Sequence, residues 1–291
     1  MTVREDVHPA NLALIDRFEV WEHKRNLAEK TIQGRRMRLQ SLAHHLGRSL
    51  LEATADDVDA WLHTRNAPTG LAPQTFEAYL RMVRAFYQWA LRERLVEKDP
   101  TGDVVRPRLP RPLPRPMDPG DLVRALEAAD DRKAAMLALA AYAGLRCHEI
   151  AALRIEEVDF QRKRLLVVKG KGGRDRVIPL HPEVEKRLRR IEPRSGYVFH
   201  RVWPHPSPQP IRPGTVSQIL SEYLRGQGIE ASAHQGRHLF LTTVYEASQD
   251  LRVTQELAGH ASPVTTSIYA AWSNARAADA VAAIAYEGGE S

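Results

Sequence analysis

The chain has 291 residues, 43% of them hydrophobic, which is enough for about two domains with cores of their own. The formal charge of +6 suits an anionic partner, and the single cysteine, Cys147, excludes an internal disulfide and a cysteine-based metal site. The polar start MTVREDVHPANL is not a signal sequence, and no apolar run approaches the roughly 20 residues that span a bilayer. These features predict a cytoplasmic protein without a membrane partner.

Four amphipathic helices are predicted before residue 99. The first begins near Ala10, the third follows a capping box formed by Thr54 and Asp57, and the fourth begins near Pro73. Their apolar faces predict a small helical bundle over residues 10–99.

The second predicted helix begins near Thr31 and carries a cluster of arginines. Arg35, Arg36 and Arg38 are expected to lie mostly on its outer face. Such a face is more often simply solvated than a DNA-binding surface, and both readings stay open.

The segment VVRPRLPRPLPRPM (104–117) carries four arginines and no acidic residue. Its prolines remove amide donors and fix φ, so it predicts a semi-rigid linker without helix or strand. Such a tract can be a ligand for an aromatic groove. Arginines spaced between two domains favour instead an extended strap along phosphates.

A second domain is predicted to begin at Asp118, which caps a helix opened by Pro119, with Asp121 at the capping-box position. An alanine-rich helix is predicted to run on to Ala143. The runs RLLVV and DRVIP, joined by KGKGGR (169–174), predict a β-hairpin. The Pro-rich stretch 201–214 predicts a loop without a chemical role. Further helices are predicted at 148–154, 182–190, 215–227, 234–247, 251–258, 263–269 and 273–285.

Polar residues recur near the C-terminal end, in the runs HQGRH (234–238) and LAGH (257–260) and at Tyr269. Taken singly, a histidine is usually a cap or a satisfied core residue, and a tyrosine is usually a partly buried aromatic. Together, two histidines, an arginine and a phenol supply the groups of a phosphate site that needs no metal. The combination favours a single functional site.

Five segments of the second domain match one family in that family's own order. They are AGLRCHEIAAL (143–153), VVKGKGGRDRVIPL (167–180), HQGRHLFLTT (234–243), LRVTQELAGH (251–260) and SIYA (267–270). Residues 118–270 therefore resemble the catalytic domain of the tyrosine recombinases, which include the phage integrases and the Xer-type site-specific recombinases. Residues 10–99 resemble the core-binding domain of that family less closely.

The resemblance implies six catalytic residues, which are Arg146, Lys171, His234, Arg237, His260 and Tyr269. Tyr269 would attack a DNA phosphate and form a 3′-phosphotyrosine, while the two arginines neutralise the charge of the transition state. His234 would be the assisting acid–base group, and His260 would support the phosphate or the nucleophile. Lys171 resembles the general acid of the family, with Lys169 as its nearest rival.

The same resemblance implies double-stranded DNA recombination sites as the partner and strand exchange through a Holliday junction. It also implies a tetramer on nucleoid DNA, with an accessory or directionality protein as a further partner. Transesterification retains bond energy, so no ATP, metal or other cofactor is expected, and Glu149 is expected to be a structural acid. The expected DNA contacts are Arg35, Arg36, Arg106, Arg108, Arg111, Arg115 and Arg174.

The predicted fold is mainly α with a small antiparallel β-sheet. Residues 1–103 form a four-helix, SAM-like core-binding domain, residues 104–117 the linker, and residues 118–291 an α+β tyrosine-recombinase catalytic domain with a tail helix. No N-terminal arm-binding domain is expected, because the first helix begins near Ala10. The apolar stripe of the tail helix fits exchange with a neighbouring subunit and also docking in cis.

One position departs from the family pattern. Gly236 stands where the family commonly has leucine, and a looser packing beneath His234 is therefore expected. Two alternatives stay open: a type IB topoisomerase, which uses nearly the same residues, and a non-catalytic DNA-binding regulator with the same fold. The presence of all six expected residues argues against the regulator.

Overall fold

The computed structural model describes residues 7–64, 71–108, 115–168, 175–191, 195–202 and 207–259. The chain divides into two compact units, Met1–Arg111 and Pro112–Ser291. Each unit has its own cluster of buried apolar side chains. The helices predicted at 263–269 and 273–285 and the hairpin turn at 169–174 lie outside the described residues.

The described residues of the first unit form four helices, as predicted. They are α1 (Pro9–Lys24), α2 (Glu29–Leu46), α3 (Ala55–Thr64) and α4 (Pro73–Arg92), with a short 3₁₀ turn at Leu50–Glu52. The capping box at the start of α3 is confirmed, because the Thr54 amide donates to the Asp57 carboxylate at 2.8 Å and the Asp57 amide donates to Thr54 Oγ1 at 3.2 Å. The core contains Phe18 and Phe86 in edge-to-face contact, with ring centroids 5.6 Å apart.

The arginines of α2 are less exposed than predicted. Arg35 pairs with Glu22 of α1, whose side chain is only 1% exposed. Nη1 of Arg36 lies 2.6 Å from Oδ1 of Asp16, which also belongs to α1. Arg38 stacks over the ring of Tyr79 at 3.9 Å. The expectation of an outward-facing row was therefore wrong, because these long side chains lie along the neighbouring helices.

The predicted linker is anchored at both ends. Neither helix nor strand occurs in its described parts, 104–108 and 115–117. Val104 is buried in the apolar cluster of the first unit, and Met117 in that of the second. The Met117 amide also donates to the carbonyl of Gln235 at 3.1 Å.

The second unit contains seven helices in its described ranges. They are α5 (Pro119–Ala128), α6 (Asp131–Tyr142), α7 (Cys147–Ala152), α8 (Pro182–Ile191), α9 (Pro213–Gly226), α10 (Ala233–Ser248) and α11 (Leu251–Ala258). None of the described helices of the chain is long and apolar enough to cross a membrane.

The alanine-rich run forms two helices where one was predicted. The chain breaks at Ala129, and the carboxylate of Asp130 accepts from the Lys133 amide at 2.8 Å to begin α6. An aspartate that caps a new helix competes with continuation of the old one. At the start of α5, Asp118 is the cap as predicted, whereas the carboxylate of Asp121 bonds Arg124.

Two small antiparallel sheets occur among the described residues of the second unit. The first has the order β1 (Val158–Asp159), β2 (Arg164–Val167) and β3 (Arg176–Pro179), and it includes the predicted hairpin. The second pairs β4 (His200–Arg201) with β5 (Ser207–Pro210). The prediction of a loop over 201–214 was therefore wrong in part. A two-stranded ribbon tolerates prolines because donors on its outer edges need no partner.

Helices α6 and α10 face each other at Gly236, where the missing side chain leaves room for about a methyl group. A Cβ atom built on Gly236 would lie 3.6 Å from the Cβ of Ala141 and 3.7 Å from that of Ala140. These are ordinary van der Waals distances, so a methyl group fits here, and the looser packing expected beneath His234 stays a prediction.

Gly236→Ala should be neutral or should raise the free energy of unfolding by up to about 1 kcal/mol, because alanine fits and favours the helix. Gly236→Leu should lower it by about 1–3 kcal/mol through overpacking. Urea unfolding measures both. Gly226→Leu is the matched control, because a Cβ at this helical glycine meets no described atom within 4 Å. Equal effects of leucine at the two positions would contradict the close packing.

Candidate active site

Arg146 is placed by the turn between α6 and α7. Gly144 adopts a positive φ of 63°, and the Leu145 amide donates back to the carbonyl of Leu139 at 3.0 Å. This turn ends α6 and makes Arg146 the N-cap residue of α7. The Arg146 side chain is 18% exposed, so its guanidinium can reach a ligand from solvent.

Glu149 is the centre of the site's electrostatics. Its carboxylate accepts from the Arg146 amide at 2.8 Å and from Arg146 Nη1 at 3.2 Å. It also accepts two bonds from Arg176, at 2.7 and 2.9 Å. Burial alone would raise the pKa of Glu149, but the bonds and charges of Arg176 and Arg146 lower it to about 2. Glu149 is therefore an ionised structural acid, as the sequence predicts.

Arg237 lies on α10 and is almost fully buried. Its guanidinium donates to the carbonyl of Gly144 and, at 2.6 Å, to that of Ala258 at the end of α11. Its Nη1 is 3.9 Å from Glu149 Oε2. Arg237 thus connects the turn that holds Arg146 to the last residues before His260.

His234 lies in the first turn of α10, open to solvent at one side. Partial desolvation and then the positive charges of Arg237 and Arg146 lower the pKa of its imidazole. The structure therefore brings His234, Arg237 and Arg146 to one place. The imidazole stays neutral to a lower pH than a free histidine and can accept a proton at neutral pH.

The rings of His238 and His234 are in edge-to-face contact, with centroids 4.4 Å apart. Burial, His234 and Arg237 lower the pKa of His238 to about 4. No role for His238 was expected from the sequence. Its spacing of four from His234 on one helix is the signal that places it beside the site.

His238 should make folding stability depend on pH. The unfolded chain protonates this histidine near 6.5 and the folded chain only near 4, so the unfolded state binds more protons between these values. The contribution of neutral His238 to the free energy of unfolding should be complete above pH 6.5 and should decrease as the pH falls towards 4. His238→Gln should flatten this slope in urea unfolding series. An unchanged slope would contradict the assignment.

Three of the six predicted catalytic residues, Lys171, His260 and Tyr269, lie outside the described residues, as do Arg111, Arg174 and the rival Lys169. The structure describes what flanks them. The hairpin closes at the pair Val167 and Arg176, and α11 ends at the C-cap Gly259, directly before His260.

Two of the predicted DNA contacts share a groove in the first unit. Arg35 and Arg106 line a groove of about 350 Å³ together with Arg81 and Arg84 of α4. The Nε atoms of Arg35 and Arg84 are buried and have no hydrogen-bond acceptor among the described residues. Arg36 is not part of this groove, and Arg108 and Arg115 are exposed. Arg81 and Arg84 were not among the expected contacts, although they lie one turn apart on a partly exposed helix face.

No group of three or more His, Cys, Asp or Glu side chains in the described ranges is arranged to hold a metal ion. The side chains brought together at this site are the cationic Arg146 and Arg237 and the neutral imidazole of His234. Such a set suits an oxyanion with several acceptor oxygens, as a phosphodiester has.

Comparison with known proteins bears on this arrangement. The profile of the phage integrase family matches residues 116–276, and that of the phage integrase N-terminal SAM-like domain matches residues 15–94. The tyrosine recombinase XerA of Pyrococcus horikoshii is 30% identical over 206 residues, which are 69% of this chain and 70% of the relative. The tyrosine recombinase XerD of Pseudomonas putida is 33% identical over 221 residues, which are 71% and 74% of the two chains.

Solved structures share the fold. The integrase of the transposon Tn1549, in complex with a circular intermediate DNA, superimposes with a TM-score of 0.71 at 18% identity and covers 92% of this chain and 99% of its own. A lambda integrase dimer bound to a COC′ core site gives 0.70 at 16% identity, covering 87% and 96%. Because the family profile covers more than half of the chain, the chain belongs to the phage integrase family of tyrosine site-specific recombinases.

Proposed function

We propose that the chain cleaves and rejoins DNA strands at specific sites through a 3′-phosphotyrosine at Tyr269 and a Holliday junction. The observation that supports this best is that Arg146 and Arg237 lie around the buried Glu149, with His234 close enough for both positive charges to lower its pKa. This arrangement offers two fixed positive charges and a neutral imidazole at one place. These are the groups that phosphoryl transfer to a side chain requires.

The two arginines have one proposed task. The pentavalent transition state carries more negative charge on its non-bridging oxygens than the ground state, and guanidinium groups stay charged at any relevant pH. Arg146, whose side chain is partly exposed at the N-terminus of α7, would contact the phosphate directly. Arg237 is held by two carbonyls and keeps a positive charge close beneath the site.

His234 and Lys171 have proposed roles in proton transfer. A phenol with a reference pKa of about 10 is a poor nucleophile unless a base assists it, and the neutral ring of His234 suits that task. His260 would support the phosphate or Tyr269, and Lys171 would protonate the leaving 5′-oxygen, which becomes the free 5′-hydroxyl. Bond energy is conserved in this transesterification, so the proposed reaction needs neither ATP nor a metal ion.

Binding to double-stranded DNA would involve both parts of the chain. Residues 1–103 are proposed as the core-binding domain and residues 118–291 as the catalytic domain, joined by the linker at 104–117. The groove lined by Arg35, Arg81, Arg84 and Arg106 offers donors to phosphates. The guanidinium groups that could reach a phosphate are those of Arg81 and Arg106, which are exposed, because the Nε atoms of Arg35 and Arg84 are buried.

Assembly is proposed as a tetramer on two DNA sites in the cytoplasm, with the tail helix passed to a neighbour and an accessory protein able to direct the reaction. Deleting residues 272–291 should then weaken assembly on paired sites more than binding to a single half-site. Gel-shift assays distinguish the two complexes. Equal losses in both would contradict exchange of the tail.

A plasmid experiment separates recombination from the alternatives. A site for the protein is first selected from a randomised duplex library. A supercoiled plasmid carrying two copies of that site should yield recombinant circles, and a plasmid without the site should stay supercoiled. Rapid relaxation of the second plasmid would favour a type IB topoisomerase, and selective binding without any product would favour a regulator. The relatives, which are named as recombinases and integrases, favour neither alternative.

A further inference from the structure

Arg176, the first residue of β3, is a buried arginine that the proposed reaction does not use. Its side chain is only 8% exposed. Nη1 and Nη2 donate to the two oxygens of Glu149, at 2.7 and 2.9 Å, and Nε donates to the carbonyl of Leu257 at 3.0 Å. All three nitrogens are therefore engaged, which fixes the planar guanidinium in one orientation.

One side of this guanidinium faces the end of α11. Leu257 belongs to the last turn of that helix, whose exposed carbonyls attract a cation. Gly259 caps the helix with a φ of 59°, and a Cβ atom there would lie 2.9 Å from Arg176 Nη1. Arg176 therefore packs directly against the residues that lead into His260.

The two Nη atoms of Arg176 compete with Arg146 for the carboxylate of Glu149. Arg176 takes both oxygens of Glu149 in a bidentate pair, whereas the guanidinium of Arg146 makes one longer bond of 3.2 Å. Arg237 is farther away, at 3.9 Å. Without Arg176, the carboxylate would draw the guanidinium of Arg146 towards itself, because an uncompensated buried charge is costly.

We infer that Arg176 is a positioning residue that neutralises Glu149, so that the guanidinium of Arg146 is available to the scissile phosphate while the end of α11 stays in place. This inference rests on the proposed function. Arg176 would not contact DNA. It would act on the reaction through Arg146 and through the backbone before His260.

Two variants and a control isolate this role. Arg176→Met keeps the length of the side chain and removes the charge and the donors. Arg176→Lys restores the charge but cannot make a bidentate pair and reach Leu257 as well. Arg164→Met is the control on the neighbouring strand, because Arg164 is about half exposed and pairs with Asp159 at 3.1 Å.

Two nicked suicide duplexes carrying the selected site serve as probes. One has a normal scissile phosphate. The other has a methylphosphonate there, in which a methyl group replaces one non-bridging oxygen and removes its negative charge. Duplex affinity and the single-turnover rate of covalent adduct formation are measured on the same full-length preparation, so any unfolded fraction affects both substrates equally.

With the phosphate duplex, Arg176→Met should slow adduct formation on the order of 10–100-fold, and Arg176→Lys should recover part of the rate. Affinity, and the rates of Arg164→Met, should stay within about threefold of wild type. With the methylphosphonate duplex the loss should shrink to about threefold or less, because less charge needs neutralising.

Three results would overturn the inference. They are a wild-type rate for Arg176→Met, an equal loss on both duplexes, and a loss of affinity as large as the loss of rate. In each of them wild-type protein still forms the adduct, so the proposed function survives. If wild-type protein forms no adduct with either duplex, the proposed function fails and the role of Arg176 fails with it.

Discussion

Glu149→Ala is expected to lower the free energy of unfolding by about 3–5 kcal/mol, because it leaves buried arginines without their counter-charge. The carboxylate is 2% exposed and bonds Arg176 and Arg146. Strand cleavage should also slow by about 10–100-fold, since Arg146 loses the acceptor of its backbone amide. Urea unfolding and single-turnover cleavage measure the two effects.

The control for Glu149 is a surface glutamate. Glu256 is 68% exposed and lies 3.2 Å from Arg252, so Glu256→Ala should change the free energy of unfolding by no more than about 0.5 kcal/mol. The wild-type protein should also lose stability as the pH falls from 4.5 towards 2, because the unfolded carboxyl of Glu149 protonates first. Glu149→Ala should lack this part of the acid dependence. Equal effects of the two alanine variants would contradict the central role of Glu149.

Gly144→Ala is the second change with a large expected effect, a loss of about 2–4 kcal/mol in the free energy of unfolding. Gly144 has a φ of 63°, and a Cβ atom there would lie 2.7 Å from Cε1 of Phe240. The carbonyl of Gly144 also accepts from Arg237, so a shift of this turn would displace the site.

A substitution at a second glycine separates the cost of the positive φ from the cost of the contact with Phe240. Gly228 has a similar φ of 69°, but a Cβ there meets no described atom within 4 Å. Gly228→Ala should therefore cost only the backbone term, about 1–2 kcal/mol. Thermal or urea unfolding of both variants gives the comparison. If Gly144→Ala costs no more than Gly228→Ala, the contact with Phe240 is not the constraint that the structure implies.

The sequence predicted elements wherever a local signal was strong. The capping box at Thr54 and the helix start expected near Pro73 placed α3 and α4 correctly. The split between α5 and α6 was missed, because residues 121–143 contain no glycine or proline and the N-cap Asp130 is the signal of the new start. The strand β5 was missed because prolines argue against strands in general and not against the edge of a two-stranded ribbon.

The site was predictable only in part. The resemblance supplied Arg146, His234 and Arg237, and the structure places their charges together. The role of Arg176 was hidden, because a bond across 27 positions to Glu149 has no local sequence signature. One clue was available: Arg176 shares the inward face of β3 with the buried Ile178, and an inward-facing arginine requires an acidic partner.

The most direct measurement is covalent capture on the nicked suicide duplex that carries the selected site. Wild-type protein should form an adduct that joins Tyr269 to the 3′-phosphate and leaves a free 5′-hydroxyl, and peptide mapping should locate it there. Tyr269→Phe should bind the duplex with the affinity of wild type and form no adduct. An adduct that persists in Tyr269→Phe, or one mapped to another residue, would contradict the proposed nucleophile.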